Sequence, residues 1–334
     1  MVVGGGIAGA ACATELARAG VPVRLSDRGR RWGGRLAVRT LRDTGTPYDG
    51  HAVDLGASYL TAHDPDFRAL VDGWVDRGLA RAWTETFAVA GPEGLRGTTT
   101  GPLRYSAPHG LRSLVEAMVG DLPEDGVTLC PHHEVGAVRL GDDGLPRVDD
   151  EPAAAVALCM PDPQVRRLIE PGNPAFRPTR RATEGVLWEP VIALVAVYAE
   201  RCWPELDGVF VNDDPVVTWI ADDGRRRGDD AAVLVAHADP VASARYLREP
   251  ETIAPAMLAS IRRVLGATAD PEWIEVKRWT YARPVTAWPE PYHLDPDTRV
   301  ALAGDGWHAG PRVECAWLSG RDLGRALVDL VRAG

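Results

Sequence analysis

Three glycines and one acid near the start of the chain have the spacing to hold a phosphate-bearing ligand. Gly4-x-Gly6-x-x-Gly9 directly follows two apolar residues, Val2 and Val3, and opens an Ala-rich stretch of helical character that reaches about residue 18. A second apolar run, 21–26, ends on Asp27, 18 positions after Gly9. A strand–turn–helix–strand unit of this kind is a dinucleotide fingerprint, whereas a bare glycine-rich turn lacks the second strand and its terminal acid. Gly4 permits the tight turn, Gly6 lets backbone approach a pyrophosphate, and Gly9 lets the helix pack closely on the strand. Ile7 and Ala8 begin that helix, whose first N–H groups and partial positive end favour phosphate. Asp27 stands where a carboxylate accepts hydrogen bonds from ribose hydroxyls. The pattern alone does not separate one dinucleotide from another.

Further residues with chemical potential lie downstream. Arg28 opens a basic loop, R-G-R-R-W-G-G-R-L-A-V-R over 28–39, in which Gly33 and Gly34 allow a second backbone approach to phosphate. Arg35 supplies a guanidinium suited to bidentate phosphate contact, although the loop also reads as a solvated surface segment. Val53 to Thr61 contains the small residues Gly56, Ala57 and Ser58, against which a flat ligand can lie, and Tyr59 adds an aromatic face with a polar tip. His237 ends an apolar run, where a histidine either completes the core or rim or faces a substrate. The five cysteines are odd in number and widely spaced, and His132 and His133 have no second ligand pair nearby, so no metal site is expected.

The elements that must position these residues follow from periodicity. The 63–80 segment is an amphipathic helix with Phe67, Leu70, Val71, Trp74 and Val75 on one stripe, and its aromatics read as core. A second helix starts near Gly110, and strands are expected at 127–130, 134–140 and 153–160. Runs at 186–198, 209–211, 216–220 and 232–237 read as an antiparallel sheet, followed by a helix at 250–265 and a further strand at 274–281. The run 299–304 has parallel-sheet character and leads through Gly304, Asp305, Gly306 and Trp307 to a helix over about 313–331. The nucleotide-binding domain therefore opens and closes the chain, with another domain inserted.

Bulk properties bound the partners. The 334 residues are enough for two domains, with 45% apolar residues and no low-complexity run. A net charge of −10 argues against nucleic acid or an anionic membrane as a main partner. No apolar run is long enough for a membrane span. The N-terminal stretch lacks a basic leader and its glycines serve the turn, so it does not read as a signal peptide; free thiols then suit a cytoplasmic protein.

Three segments taken together carry a resemblance. Gly4 to Asp27 with R-R-W-G-G-R at 30–35, D-L-G-A-S-Y at 54–59 and Gly304-Asp305 resemble the FAD-binding signature of the flavin amine oxidase superfamily. D-L-G-A-S-Y-L-T-A at 54–62, R-W-T-Y-A-R-P at 278–284 and R-V-E-C-A-W-L-S-G at 312–320 are similar to its bacterial renalase-like branch. The resemblance implies an α/β fold: a Rossmann-like, para-hydroxybenzoate-hydroxylase-like FAD-binding domain with an inserted α+β substrate domain built on an antiparallel sheet. Segments 1–62, 106–165 and 285–334 would form the first, and 63–105 and 166–284 the second.

It also implies FAD contacts from Gly4, Gly6, Ile7, Ala8, Gly9, Asp27 and Arg28 at the pyrophosphate and adenosine. Gly33, Gly34 and Arg35 would clamp phosphate and ribityl, Gly56, Ala57 and Ser58 would back the isoalloxazine, and the strand at His132 would touch adenine. Gly304 and Asp305 would bind ribityl or phosphate oxygens, and the helix that Arg312 and Val313 introduce would aim at the flavin N1/O2 edge. Tyr59, His237, Trp279, Tyr281 and Trp307 would wall the substrate pocket. The implied chemistry is hydride transfer from misreduced 2- or 6-dihydro isomers of NAD(P)H to flavin, with oxygen reduced to hydrogen peroxide. Where such proteins commonly carry Ala-Thr-Pro beside FAD, this chain has Cys159-Met160-Pro161. The alternatives are a flavin oxidase acting on an amine or another small molecule, and a non-catalytic FAD-binding or nucleotide-binding protein. An amine oxidase often places a lysine at the flavin, and Lys277 is the single lysine of the chain.

Overall fold

The first strand, Val2–Val3, is two residues long, yet it lies inside a six-stranded sheet. In the computed structural model, which describes residues 1–308 and 310–333, it pairs in parallel with Val23–Asp27 on one side and Val156–Leu158 on the other. Val127–Pro131 extends the sheet beyond Val23–Asp27, and Val300–Leu302 extends it beyond Val156–Leu158, both in parallel. His293–Asp295 closes the latter edge as an antiparallel strand. Val156–Leu158 and Val300–Leu302 are buried at every residue, as parallel strands covered on both faces must be. Strand order reverses at Val2–Val3, so the crevice outside its carboxyl end is the place where an open α/β sheet binds ligands.

Two helices pack on one another beside this sheet. Ile7–Arg18 meets Val313–Ala333 at small residues: a Cβ on Gly320 would lie 2.0 Å from the Ala8 carbonyl oxygen, and one on Gly324 would lie 2.9 Å from that of Cys12. The long helix can therefore dock closely only because those positions are glycine. The start and the end of the chain share one unit, as the sequence pattern implies.

Two compact units account for the chain: Met1–Arg35, Leu114–Trp188 and Arg283–Gly334 in one, Leu36–Ser113 and Glu189–Ala282 in the other. These bounds differ from the sequence division. Residues 36–62 and 106–113 belong with the second unit, because Asp54 accepts from the Leu111 N–H at 2.8 Å and its neighbours are tied to Arg226. Residues 166–188 belong with the first, where Ile169 and Phe176 enter the core of Val3, Val156, Val300 and Trp307.

The second unit is built on a seven-stranded sheet. Most of its strands pair antiparallel, but Gly208–Val211 runs parallel to Arg81–Gly91, so the sheet is mixed. Ile192, Leu194, Ile220, Leu234 and Ala236 face the helix Ala254–Leu265, which contributes Met257, Ile261 and Val264. Alternation sends Val195, Val197, Val233 and Val235 to the other face, with Leu41, Val53 and Leu55. The helix at 63–80 forms as Pro65–Asp76, capped by the Asp64 carboxylate, with Phe67 and Trp74 buried. All five cysteines are free thiols. Among the described residues no helix is long and apolar enough to cross a membrane.

Candidate functional site

In the first unit, loops leave the carboxyl ends of three neighbouring parallel strands. Gly4 follows the first strand with φ of 110°, and a Cβ there would lie 2.4 Å from the Cys159 carbonyl oxygen. A Cβ on Gly9 would lie 1.9 Å from the Gly4 oxygen, so strand and helix approach as the fingerprint requires. Gly6 caps the helix with no side-chain bond, and the first turn carries no acid. Its nearest neighbour in the Cβ direction is the Gly34 Cα at 3.9 Å, and Gly33 N–H donates to the Gly5 carbonyl at 2.8 Å. Two glycine loops thus face each other across space that side chains would fill.

Asp27 ends its strand with both carboxylate oxygens engaged, accepting from Gly5 N–H and Gly29 N–H at 2.6 Å each. A carboxylate with two such bonds retains lone pairs for further hydroxyls. His132 is exposed at φ of 58°, and its N–H donates to the Gly29 carbonyl at 2.8 Å, which brings that turn beside the loop after Asp27. Arg28 is exposed.

Arg35 and Asp305 are joined. They form a bidentate pair, 2.8 and 2.5 Å, with the Arg35 guanidinium 5.1 Å from the Trp188 ring. Asp162, which sequence reasoning missed, follows Val156–Leu158 and is buried beside this pair, accepting from the Trp188 indole N–H at 3.2 Å. Burial pushes its carboxyl up to about 7, with the Asp305 charge adding to the rise and Trp188, Arg166 and Arg35 opposing it. Asp162 directly follows the Cys159-Met160-Pro161 segment.

The helix at Val313 begins as expected, but Glu314 in its first turn is buried and offsets the positive end. Arg312 is exposed and donates to the Cys315 sulfur at 3.5 Å, which raises its own affinity for a proton. Gly304 has φ of 150°, and its N–H donates to the Ser319 hydroxyl at 3.0 Å. Trp307, expected at the pocket wall, is 5% exposed, with its ring 6.0 Å from Trp288 and 6.3 Å from His293.

In the second unit, one face of the sheet gathers most of the expected wall. His237 shares the parity of Val233 and Val235, and lies opposite Trp219 on one neighbouring strand and Ala193 on the other. Trp219 packs at 4.8 Å on Phe87 and 5.9 Å on Tyr59, and a Cβ on Gly208 would lie 2.4 Å from its ring. Trp279 packs on the same side, donating its indole N–H to the Leu55 carbonyl at 2.8 Å, and Tyr281 follows two residues along the strand. Lys277 is exposed with its ammonium 5.6 Å from the Trp279 ring.

The small-residue loop is held from beneath. The Ser58 hydroxyl accepts from the Trp219 indole at 2.9 Å, and the Ser58 carbonyl accepts from Arg226 at 3.0 Å; Gly56 and Ala57 remain half-buried. Arg226 and Arg227 are buried and each pairs with Asp223. Asp54 lies 3.8 Å from Arg226, and burial pushes its carboxyl up to about 7 against the Leu111 bond and the charges of Arg227 and Arg112.

Comparison with known proteins gives each of these residue groups a context. Residues 2–74 match the NAD(P)-binding Rossmann-like domain, and residues 79–327, well over half of the chain, match the flavin containing amine oxidoreductase family. This chain belongs to the flavin-containing amine oxidoreductases. Similar solved structures include a candidate protoporphyrinogen oxidase from Exiguobacterium sp. 255-15 (16% identity, TM-score 0.77) and cyclohexylamine oxidase from Brevibacterium oxydans IH-35A (14%, 0.75). A putrescine oxidase bound to putrescine is also similar, at 17% identity and TM-score 0.72. In each comparison the match covers 98% of this chain and 98% of the other. Those likenesses show the fold.

The cofactor of this amine oxidoreductase family member is FAD. The first unit fits it: opposed glycines leave a cradle that any Cβ would narrow, the helix start carries no competing acid, and Asp27 is fixed at the strand end with acceptor capacity to spare.

Proposed function

We propose that the chain is an oxidase that takes hydride from the 2- and 6-dihydro isomers of NAD(P)H and returns NAD(P)+. Overall, dihydro-NAD(P), O2 and one proton give NAD(P)+ and hydrogen peroxide. FAD, when bound, accepts the two electrons and passes them to oxygen. Gly4, Gly6, Ile7, Ala8 and Gly9 would hold its pyrophosphate, Asp27 its ribose, and Gly33, Gly34 and the Arg35–Asp305 pair its central chain. The contacts expected of Gly56, Ala57 and Ser58 stay part of this proposal; the Ser58 hydroxyl and carbonyl already serve Trp219 and Arg226.

The observation that carries the substrate reading is the aromatic sheet face with Tyr59, Trp219, His237 and Trp279. Hydride leaves an electron-rich dihydropyridine without a strong base, so the residues' work is to bind a flat ring, orient it and exclude water. The charge that lies over the Tyr59 and Phe87 rings, Arg104, is positive. A second reading, amine oxidation, is favoured by the likeness to putrescine and cyclohexylamine oxidases. Anaerobic mixing of the yellow protein with 2- and 6-dihydro-NAD(P), putrescine or cyclohexylamine separates the two. Rapid loss of flavin absorbance with the dihydro isomers and none with the amines is expected; bleaching by amines alone would replace the first reading with the second.

A further inference from the structure

The aromatic cluster of the second unit contains a charge that no carboxylate among the described residues answers. Arg104, on the strand Gly94–Ser106, is 6% exposed. Its guanidinium lies 4.3 Å from the Phe87 ring and 5.9 Å from that of Tyr59. One terminal nitrogen donates to the Glu85 carbonyl at 2.5 Å, and the guanidinium charge opposes the burial that raises the Tyr59 hydroxyl pKa. Its Nε is buried with no hydrogen-bond partner, and among the described residues no carboxylate pairs with it. The indole N–H of Trp83 is buried and unbonded as well, in a ring 5.2 Å from Phe87 and 6.3 Å from Tyr59.

Burying a guanidinium without a counter-charge is costly, and stacking on aromatic rings offsets only part of that cost. The same unit solves the problem conventionally elsewhere, where Arg226 and Arg227 both meet Asp223. At Arg104 it does not. A Cβ on Gly101 would lie 2.8 Å from Nη2, so the missing side chain clears one flank of the guanidinium. A cation and two donors set in an aromatic cluster, with two N–H groups unused, are the complement of an oxyanion carried by a molecule with a flat ring.

We propose that Arg104, Tyr59 and Trp83 form an anion subsite that binds a phosphate or carboxylate of the substrate. The inference deepens the oxidase reading above and rests on it for the word substrate: an anionic molecule is selected and an ammonium ion is repelled.

The test is calorimetric titration of the FAD-loaded protein with inorganic pyrophosphate and, separately, with benzoate. Wild type is expected to bind at least one. Pyrophosphate alone assigns the subsite to a dinucleotide phosphate, and benzoate alone assigns it to a carboxylic acid. Arg104→Gln should weaken that binding tenfold or more, Arg104→Lys should retain part of it, and Trp83→Phe should weaken it less than Arg104→Gln does. If Arg104→Gln does not fold, Arg104→Lys and Trp83→Phe carry the comparison. Failure of wild type to bind either probe, or equal binding by wild type and the variants, overturns the subsite. Bleaching by dihydro-NAD(P) is a separate readout: its absence with Arg104-dependent probe binding intact would remove the oxidase reading and leave the subsite standing.

Discussion

Asp27 shows how much a single carboxylate is asked to do. Its two oxygens hold Gly5 and Gly29 by bonds of 2.6 Å, so it fixes the loops before and after its strand and still has lone pairs to offer. Bonds to a charged acceptor are each worth about 1.5–3 kcal/mol. Asp27→Ala should therefore raise the FAD dissociation constant by roughly tenfold or more, and Asp27→Asn by less. Titration of apoprotein with FAD, followed by flavin fluorescence, measures both; an unchanged constant in Asp27→Ala would remove the residue from the site. Gly4, Gly9 and Asp27 were readable from sequence because their roles are local, set by one turn and one strand end. The pairing of Arg35 with Asp305 was not, since their partnership is made by strands far apart in the chain. The stacking of Trp307 on Trp288 and His293 was unreadable for the same reason.

Among the elements, the helix Val313–Ala333 was legible in its extent and apolar stripe, and its partner was not. Gly320 and Gly324 read as weak helix formers; only their contact with Ile7–Arg18 explains them. Helix propensity alone would make Gly320→Ala stabilising by up to about 1 kcal/mol. Packing outweighs it here, because the new Cβ would lie 2.0 Å from a backbone oxygen that belongs to the helix after the glycine fingerprint. Overpacking of this kind costs about 1–3 kcal/mol. Gly320→Ala should lower stability to urea by that amount and weaken FAD retention with it, through displacement of Ile7–Arg18. A variant as stable as wild type would show that the two helices part without cost. The mixed sheet of the second unit teaches a related point: alternation revealed the strands, while the parallel pairing of Gly208–Val211 with Arg81–Gly91 depends on chain reversals that no run of residues records.

Across the whole molecule, each unit buries one carboxyl that titrates near neutrality, Asp162 in the first and Asp54 in the second, both pushed up to about 7 chiefly by burial. An acid whose folded pKa is raised favours the folded state fully below its unfolded value, about 3.8, and loses that contribution as pH rises through 7. Asp229, held below the usual carboxylate range by Arg227, works in the opposite sense and withdraws its contribution as pH falls through its lowered value. Stability should therefore be greatest in mildly acidic solution and decline between about pH 4 and 7, by up to a few kcal/mol for each raised carboxyl. Asp162 is the cleaner probe, because Asn can still accept the Trp188 indole N–H while abolishing the ionisation. Thermal melts with FAD in excess should give Asp162→Asn and wild type the same midpoint at pH 4. At pH 8 the variant should be the more stable, since wild type must then carry a buried charge beside Asp305. Equal offsets at the two pH values would mean that Asp162 does not titrate in this range. In that event the opposing charges of Arg166 and Arg35 and the Trp188 bond outweigh burial at Asp162, and the loop after Val156–Leu158 carries that charge at neutral pH.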